Sequence, residues 1–535
     1  MMDSRQFEKL TNDYYRSGSP EQAVEALAYL LQTPEFAQRP PQTLVAVAQF
    51  FQAVARRHPT VIAGYQALAA TASDAGRRFV EAVLAQSGPA PGAPIQDGAD
   101  LDQRWSEFLV SGEPGPVQEI LAVLSWPDRL RERIEGFLSA KRPLDILFGR
   151  RRRRDLLNKL APLGIRSDET GEKLNTPLDL DCHSLMKGMC IVADQAKTLQ
   201  QALPKPLTAT DLLYMSTKAT AKWSLWSNAQ RHPTVLKVCA AAAQTTTGPA
   251  RLGLLQIVAA ASLSADPEAA MEAAQQYLAA APAEPEMEAL LVQARRLSGV
   301  AQRHALIEQP APDAQAELPA AEGLTHWNRC RKETAQQRSY RLNLRVRDHL
   351  HSGFADRDGL ASEWNLEVVV PGRFAGQRWF WDPDSGEALA DMWITIDEAH
   401  YENPGLWLPW KEPMRAAAHR GLVTEAYLAP LAGHTPTAAS KQEQDGKPFI
   451  RLEFREVSLP AVAEALVFPV VPCNVQVWME AASGLLTGVR VQARRTDGEP
   501  LDLELREVFL DYGEAIEIKR PDTLINVPPD LKPGS

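Results

Sequence analysis

Near the carboxyl end, "TGVRVQARRTDGEPLDLELREVFLDYGEAIEIKRP" (Thr487 to Pro521) alternates apolar and charged residues almost one for one. Val489, Val491 and Ala493 alternate with Arg490, Gln492 and Arg494; Leu501, Leu503 and Leu505 alternate with Asp502, Glu504 and Arg506. Successive strand side chains point to opposite faces, so this period of two predicts half-buried antiparallel sheet. Asp497-Gly498 between the arms tolerates the positive backbone dihedrals of a tight hairpin turn. The same period recurs at Tyr340, Leu342, Leu344 and Val346, and at Ile450, Leu452 and Phe454. From Trp327 onward the chain therefore reads as mainly antiparallel sheet. Helical spacing interrupts it at "EPMRAAAHRGLVTEAYLAPLAG" and at "SLPAVAEALVFPVVP", where Ser458 can cap and Pro460 suits a first turn.

Upstream the period lengthens to about 3.6 residues. Residues 1–86 read as a helical unit, 87–100 as a Pro/Gly-rich connection, 101–305 as a helical domain and 306–325 as a Pro/Ala-rich linker before a sheet domain at 326–535. Leu212, Met215, Ala219, Trp223 and Trp226 share one helical stripe, expected to be core, with Thr210 or Asp211 capping its start. No self-similar period emerges, so an irregular bundle and a solenoid both stay open. The fold class expected is multidomain: all-α first, α+β after.

Composition narrows the function. With 535 residues, 45% hydrophobic and 23% charged, the chain is ordinary globular material. Its net charge of -10 argues against a nucleic-acid partner, which would call for a basic footprint. Five scattered cysteines without a C-x-x-C pair predict reduced thiols and no zinc. The start, "MMDSRQFEKLTNDYYRSG", has no apolar export core, which predicts a cytoplasmic chain as it stands. No run of about eighteen apolar residues predicts a membrane span.

Candidate chemistry is sparse. Arg150 to Arg154 read as a solvated or carboxylate-paired run rather than an anion site. "DCHSLMKGMC" (Asp181 to Cys190) puts Cys182 and His183 side by side, pointing apart on any regular element. Asp382 and Asp384 begin like a calcium loop, but Glu387 and Trp393 stand where glycine and a bidentate carboxylate are needed. Asp397, Glu398, His400 and Glu402 lack the H-E-x-x-H spacing. Neither a phosphate loop nor a nucleophile elbow is present, so no enzyme activity and no cofactor are expected. Aromatic density is the exception: Trp364, Trp379, Phe380, Trp381, Trp393, Tyr401, Trp407 and Trp410 fall in one sheet-forming stretch.

"DMWITIDEAHYENPGLWLPW" followed by "SGLLTGVRVQARRTDGEPLDLELREVFLDYGEAIEIKRP" resembles the LolA/LppX superfamily of bacterial lipoprotein carriers and lipid-binding lipoproteins. Phe509, Asp511, Tyr512, Gly513, Ile518 and Pro521 follow the order of that superfamily's last strands. The resemblance covers about residues 330–525. It implies a curved antiparallel half-barrel whose inner face, under short covering helices, holds an acyl chain or a lipidated protein. The lining it implies is Leu344, Val346, Val368, Val370, Ile394, Leu452, Phe454, Val489, Val491, Leu501 and Leu503. It also implies the cell envelope or periplasm as an alternative location. The rival expectation is a filled half-barrel acting as scaffold, with the helical domain binding another protein.

Overall fold

The computed structural model describes residues 2–33, 36, 44–85, 93–139, 157–158, 208–282, 284–309, 317–348, 360–370, 373–381, 388–396, 399–403, 410–411, 414–415, 427–460, 462, 471–494, 500–519 and 524–525. The chain divides into two compact units, Met1–Arg295 and Arg296–Ser535. Arg150 to Arg154, Asp181 to Cys190, Asp382 to Glu387, the pair Asp397 and Glu398, and the Asp497-Gly498 turn lie outside the described residues.

The first unit is all helical among the described residues: α1 (Ser4–Ser17), α2 (Pro20–Gln32), α3 (Val45–Arg57), α4 (Val61–Thr71), α5 (Asp74–Leu84), α6 (Gly98–Ser111), α7 (Pro114–Val123), α8 (Arg129–Ser139), α9 (Ala209–Arg231), α10 (Pro233–Thr245), α11 (Gly248–Ser262), α12 (Pro267–Ala280) and the start of α13 (Pro285–Glu308). Helix starts follow local chemistry. Asp3, Ser19 and Thr208 form reciprocal capping boxes with Gln6, Gln22 and Asp211, while Pro20, Pro114, Pro233 and Pro267 begin helices where a missing N–H costs nothing. α1 to α5 bury one apolar cluster around Leu27, Phe51 and Tyr65. α6, α7 and α9 to α12 bury another around Phe108, Leu225 and Tyr277.

On α9 the stripe expected to be core is rotated. Trp223 is 40% exposed, and the buried face carries Met215, Lys218, Ala221, Lys222 and Leu225. Lys218 Nζ donates to the Trp126 carbonyl and Lys222 Nζ to Gln256 Oε1, each at 2.6 Å, so buried ammonium groups occupy positions where apolar periodicity alone predicts none. Thr208, rather than Thr210 or Asp211, is the cap.

The second unit begins inside α13 and continues with α14 (Ala320–Ala335), then strands β1 (Ser339–Asp348), β2 (Leu360–Val369), β3 (Arg373–Trp381), β4 (Ala388–Ile396), β5 (Ala399–Asn403), β6 (Trp410–Lys411), β7 (Met414–Arg415), β8 (Ala438–Gln444), β9 (Lys447–Ser458), β10 (Pro472–Glu480), β11 (Leu486–Arg494), β12 (Pro500–Leu510) and β13 (Leu524–Ile525). One antiparallel sheet runs β7-β5-β4-β3-β2-β1-β12-β11-β10-β9-β8, and β6 pairs β13 separately. Its two ends do not pair, yet Phe374 of β3 and Ala439 of β8 belong to the same buried cluster, so the sheet curls into an open half-barrel. The β8–β9 turn is Asp445-Gly446, both at positive φ (51° and 73°), the requirement of a two-residue hairpin that follows the sheet twist.

Both faces of the sheet are covered in part. Outside, the last turns of α13 set Val300, Leu306 and Ile307 on Phe449, Trp478, Val508 and Leu510. His304 Nε2 donates to Asn343 Oδ1 at 2.6 Å, while Asn343 Nδ2 is fixed by Glu363 and Asn365. The stretch 306–325, expected as linker, thus contains the end of α13 and the first turns of α14. Between them Leu318 N–H donates to the Ala439 carbonyl at 2.8 Å and Glu317 bridges Ser440, laying a strap along β8.

Candidate functional site

Residues directly opposite in antiparallel strands share a face, so the register fixes which side chains look inward. One row crosses the sheet as Ala439, Leu452, Val477, Val489, Glu507, Leu344, Trp364, Arg378 and Asp391. A neighbouring row reads Phe454, Val475, Val491, Leu505, Val346 and Ser362. On the other side lie Phe509, Leu342, Leu366, Gly376, Trp393 and Glu402. Gly376 has no side chain because the Trp393 indole occupies the space: a Cβ there would sit 2.5 Å from the ring.

The inner face is graded. Over β9 to β12, β1 and the near end of β2 it is buried: Leu344, Val346, Val368, Leu452, Phe454, Val489 and Val491 form one cluster with Trp327 and Cys330 of α14 and with Tyr427, Leu428, Leu431, Leu459 and Val462. Trp327 meets Phe454 edge-on, ring centroids 5.2 Å apart, and donates its indole N–H to the Leu431 carbonyl. Toward the margins the same face is only half-buried, at Val370, Leu503, Trp364 and Trp393. Trp364 and Trp393 pack at 5.4 Å and 74°, and Arg378 lies 5.3 Å from the Trp364 ring. Arg378 grips Asp391 through Nε (3.2 Å) and Nη2 (2.5 Å). The lining therefore passes from aliphatic to aromatic and ionic across β2 to β4.

Of the eleven lining residues expected from sequence, seven converge in the buried part and Val370 and Leu503 stand at its margin. Leu501 is placed in β12 by its backbone, its side chain lying outside the described part. Ile394 does not join them. Its register with Ala375 and Tyr401 puts it on the outer face, opposite Trp393. Met392, Trp393 and Ile394 are all apolar, so alternation in sequence could not choose between the faces.

Sequence reading missed Glu507, although the signal was present: it follows Leu503 and Leu505 at a spacing of two. Its carboxyl group is buried inside the half-barrel, and burial raises its pKa to about 7, against a lowering hydrogen bond from Tyr427. Burial likewise pushes the Cys330 thiol up to about 12 and Cys473 up to about 11, leaving both thiols protonated and unreactive at neutral pH. Among the described residues no cluster of three potential metal ligands occurs, and no helix is long and apolar enough to cross a membrane. His400 of the "DEAHYEN" stretch instead pairs Nδ1 with Thr395 Oγ1 at 2.9 Å and lies 3.4 Å from Glu402.

No protein-family model and no curated protein matches the chain. Solved structures do. LprF from Mycobacterium bovis aligns with 38% of this chain and 98% of its own at 12% identity and a TM-score of 0.29. Lipoprotein LppX from Mycobacterium tuberculosis aligns with 37% and 99% at 11% identity and 0.24. A LolA-superfamily protein from Nitrosomonas europaea aligns with 39% and 96% at 10% identity and 0.15. At these identities and scores, the likeness carries no argument about what the half-barrel binds.

Proposed function

We propose that the half-barrel is a binding module that shields the acyl chain of a lipid or lipidated partner, the chain entering past the half-buried Leu503. The supporting observation is the graded inner face: apolar over β9 to β12 and β1 except at Glu507, it is buried there and left half-buried at Leu503, Trp364 and Trp393. Transfer of each methylene out of water there contributes about 0.8 kcal/mol, which is force enough for binding without chemistry.

A second reading, a filled half-barrel acting as scaffold, is favoured by the burial of Leu452, Val477 and Val489 under α14. Uptake of N-phenyl-1-naphthylamine, a neutral dye that brightens in apolar surroundings, separates the two in the full chain. Leu503→Gln should weaken uptake with little loss of stability, because water reaches a half-buried amide. Leu452→Gln should cost roughly 1 to 3 kcal/mol or more through an unpaired buried amide. A full chain that takes up no dye, or a Leu503→Gln as unstable as Leu452→Gln, would leave only the scaffold.

A further inference from the structure

Glu507 does not belong in an apolar lining. It is 6% exposed, its Oε2 has no partner, and among the described residues no basic side chain pairs with it. Tyr427, itself buried, supplies a hydrogen bond to the carboxyl group. The nearby Tyr512 hydroxyl is buried and also unpartnered. A lone acceptor of this kind is costly to bury, so its retention calls for a donor that completes it. Its place in the sheet is equally specific. Along the inner side of β12 run Leu503, Leu505 and Glu507, flanked in register by Val346 and Leu344 on β1 and by Val491 and Val489 on β11. Four residues of strand separate the half-buried Leu503 from Glu507, about 13 Å. An apolar track thus ends in one polar group.

We propose that Glu507 and Tyr427 form the head-group subsite for an amphiphile with a neutral, hydrogen-bond-donating head, a hydroxyl or an amide N–H, whose chain lies along Leu505 and Leu503. This deepens the acyl-chain reading and rests on it. Tyr427 already donates to the carboxyl group, so the open position at Oε2 accepts a second donor. A fatty-acid carboxylate brings only acceptors and a second negative charge to a carboxyl group that no cation among the described residues pairs, and is disfavoured. A bare ammonium must give up its hydration to enter.

The test is displacement of bound N-phenyl-1-naphthylamine from the full chain at pH 8 by three ligands of equal length: dodecanol, dodecanoate and dodecylamine. Dodecanol should compete about tenfold or more better than dodecanoate, the difference expected from one unmade buried hydrogen bond. Glu507→Gln, nearly isosteric and uncharged, should keep dodecanol binding and improve dodecanoate, collapsing the ratio. Tyr427→Phe, which keeps the ring but removes a donor to the carboxyl group, should keep dodecanol ahead of dodecanoate. Equal competition in the native chain would overturn the proposal and assign Oε2 to a buried water. A ratio that survives Glu507→Gln, or dodecylamine as the best competitor, would overturn it too. Absence of dye uptake is a different result, and removes the acyl-chain reading itself.

Discussion

Gly488 and Ile307 offer a sharp test of how α13 sits on the sheet. Gly488 lies on β11 between Trp478 and Val508, and a Cβ built on it would approach Ile307 Cδ1 at 2.7 Å and Cγ1 at 3.0 Å. Gly488→Ala alone forces that side chain aside at a cost of about 1 to 3 kcal/mol, offset by about 0.4 to 1 kcal/mol of reduced unfolded-state entropy. Ile307→Ala removes a fully buried side chain and should cost about 2 to 5 kcal/mol. Together the two changes should cost less than their sum. The space vacated by Ile307 receives the new methyl, and only the entropy gain of Gly488→Ala remains. A favourable coupling of about 1 kcal/mol or more is expected. The measurement is hydrogen exchange of the β10 to β12 amides in denaturant, which reads the half-barrel whether or not the two units unfold together. Additivity within about 0.5 kcal/mol would refute the contact.

Fragments test the same packing more coarsely. A 296–535 fragment keeps Val300, Leu306 and Ile307 on the outer face, so it should unfold cooperatively, whereas 326–535 leaves Phe449, Trp478, Val508 and Leu510 bare and should bind apolar dye and melt earlier. Equal midpoints for the two would place the boundary after α13. For Glu507, whose folded pKa is raised to about 7, the native state binds more protons than the unfolded one between its ordinary value of 4.5 and about 7. Stability from this group is therefore complete below pH 4.5 and lost as the pH rises through 7. Glu507→Gln should accordingly gain on the native chain from pH 5 to pH 8 in denaturant midpoint. A pH-independent difference would show that Glu507 is not the titrating group.

The strands were the legible part of the fold because a single buried face imposes a period of two. Tyr340 to Val346, Ile450 to Phe454 and Val489 to Ala493 all point their apolar residues into one cluster. Ile394 shows the limit: where both faces carry apolar residues, only pairing with Tyr401 reveals the side. Trp223 shows another limit, since a buried lysine satisfied by a carbonyl or an amide oxygen has no apolar signature, and the helix turns by the amount that burying Lys218 and Lys222 requires. The end of α13 was hidden in a Pro- and Ala-rich stretch whose composition suggests slack chain. Its packing residues, Leu306 and Ile307, are too few to stand out. Glu507 was readable by spacing, but a charge on an inward position looks like the end of a strand until pairing extends it to Leu510.

The strap at Glu317 and Leu318 has a consequence for the exposed edge of the sheet. A sheet whose two end strands do not pair cannot abolish its borders by closing on itself, and an uncovered border of free N–H and carbonyl groups is a template on which a second copy can grow. Here the incoming chain occupies β8 before a stranger can, through the Leu318–Ala439 hydrogen bond and the Glu317–Ser440 bridge, while Gln444 reaches the Gln302 carbonyl at the same edge. A cut between α13 and α14 would therefore do more than loosen a connection. It would uncover an edge on which a second copy can add a strand.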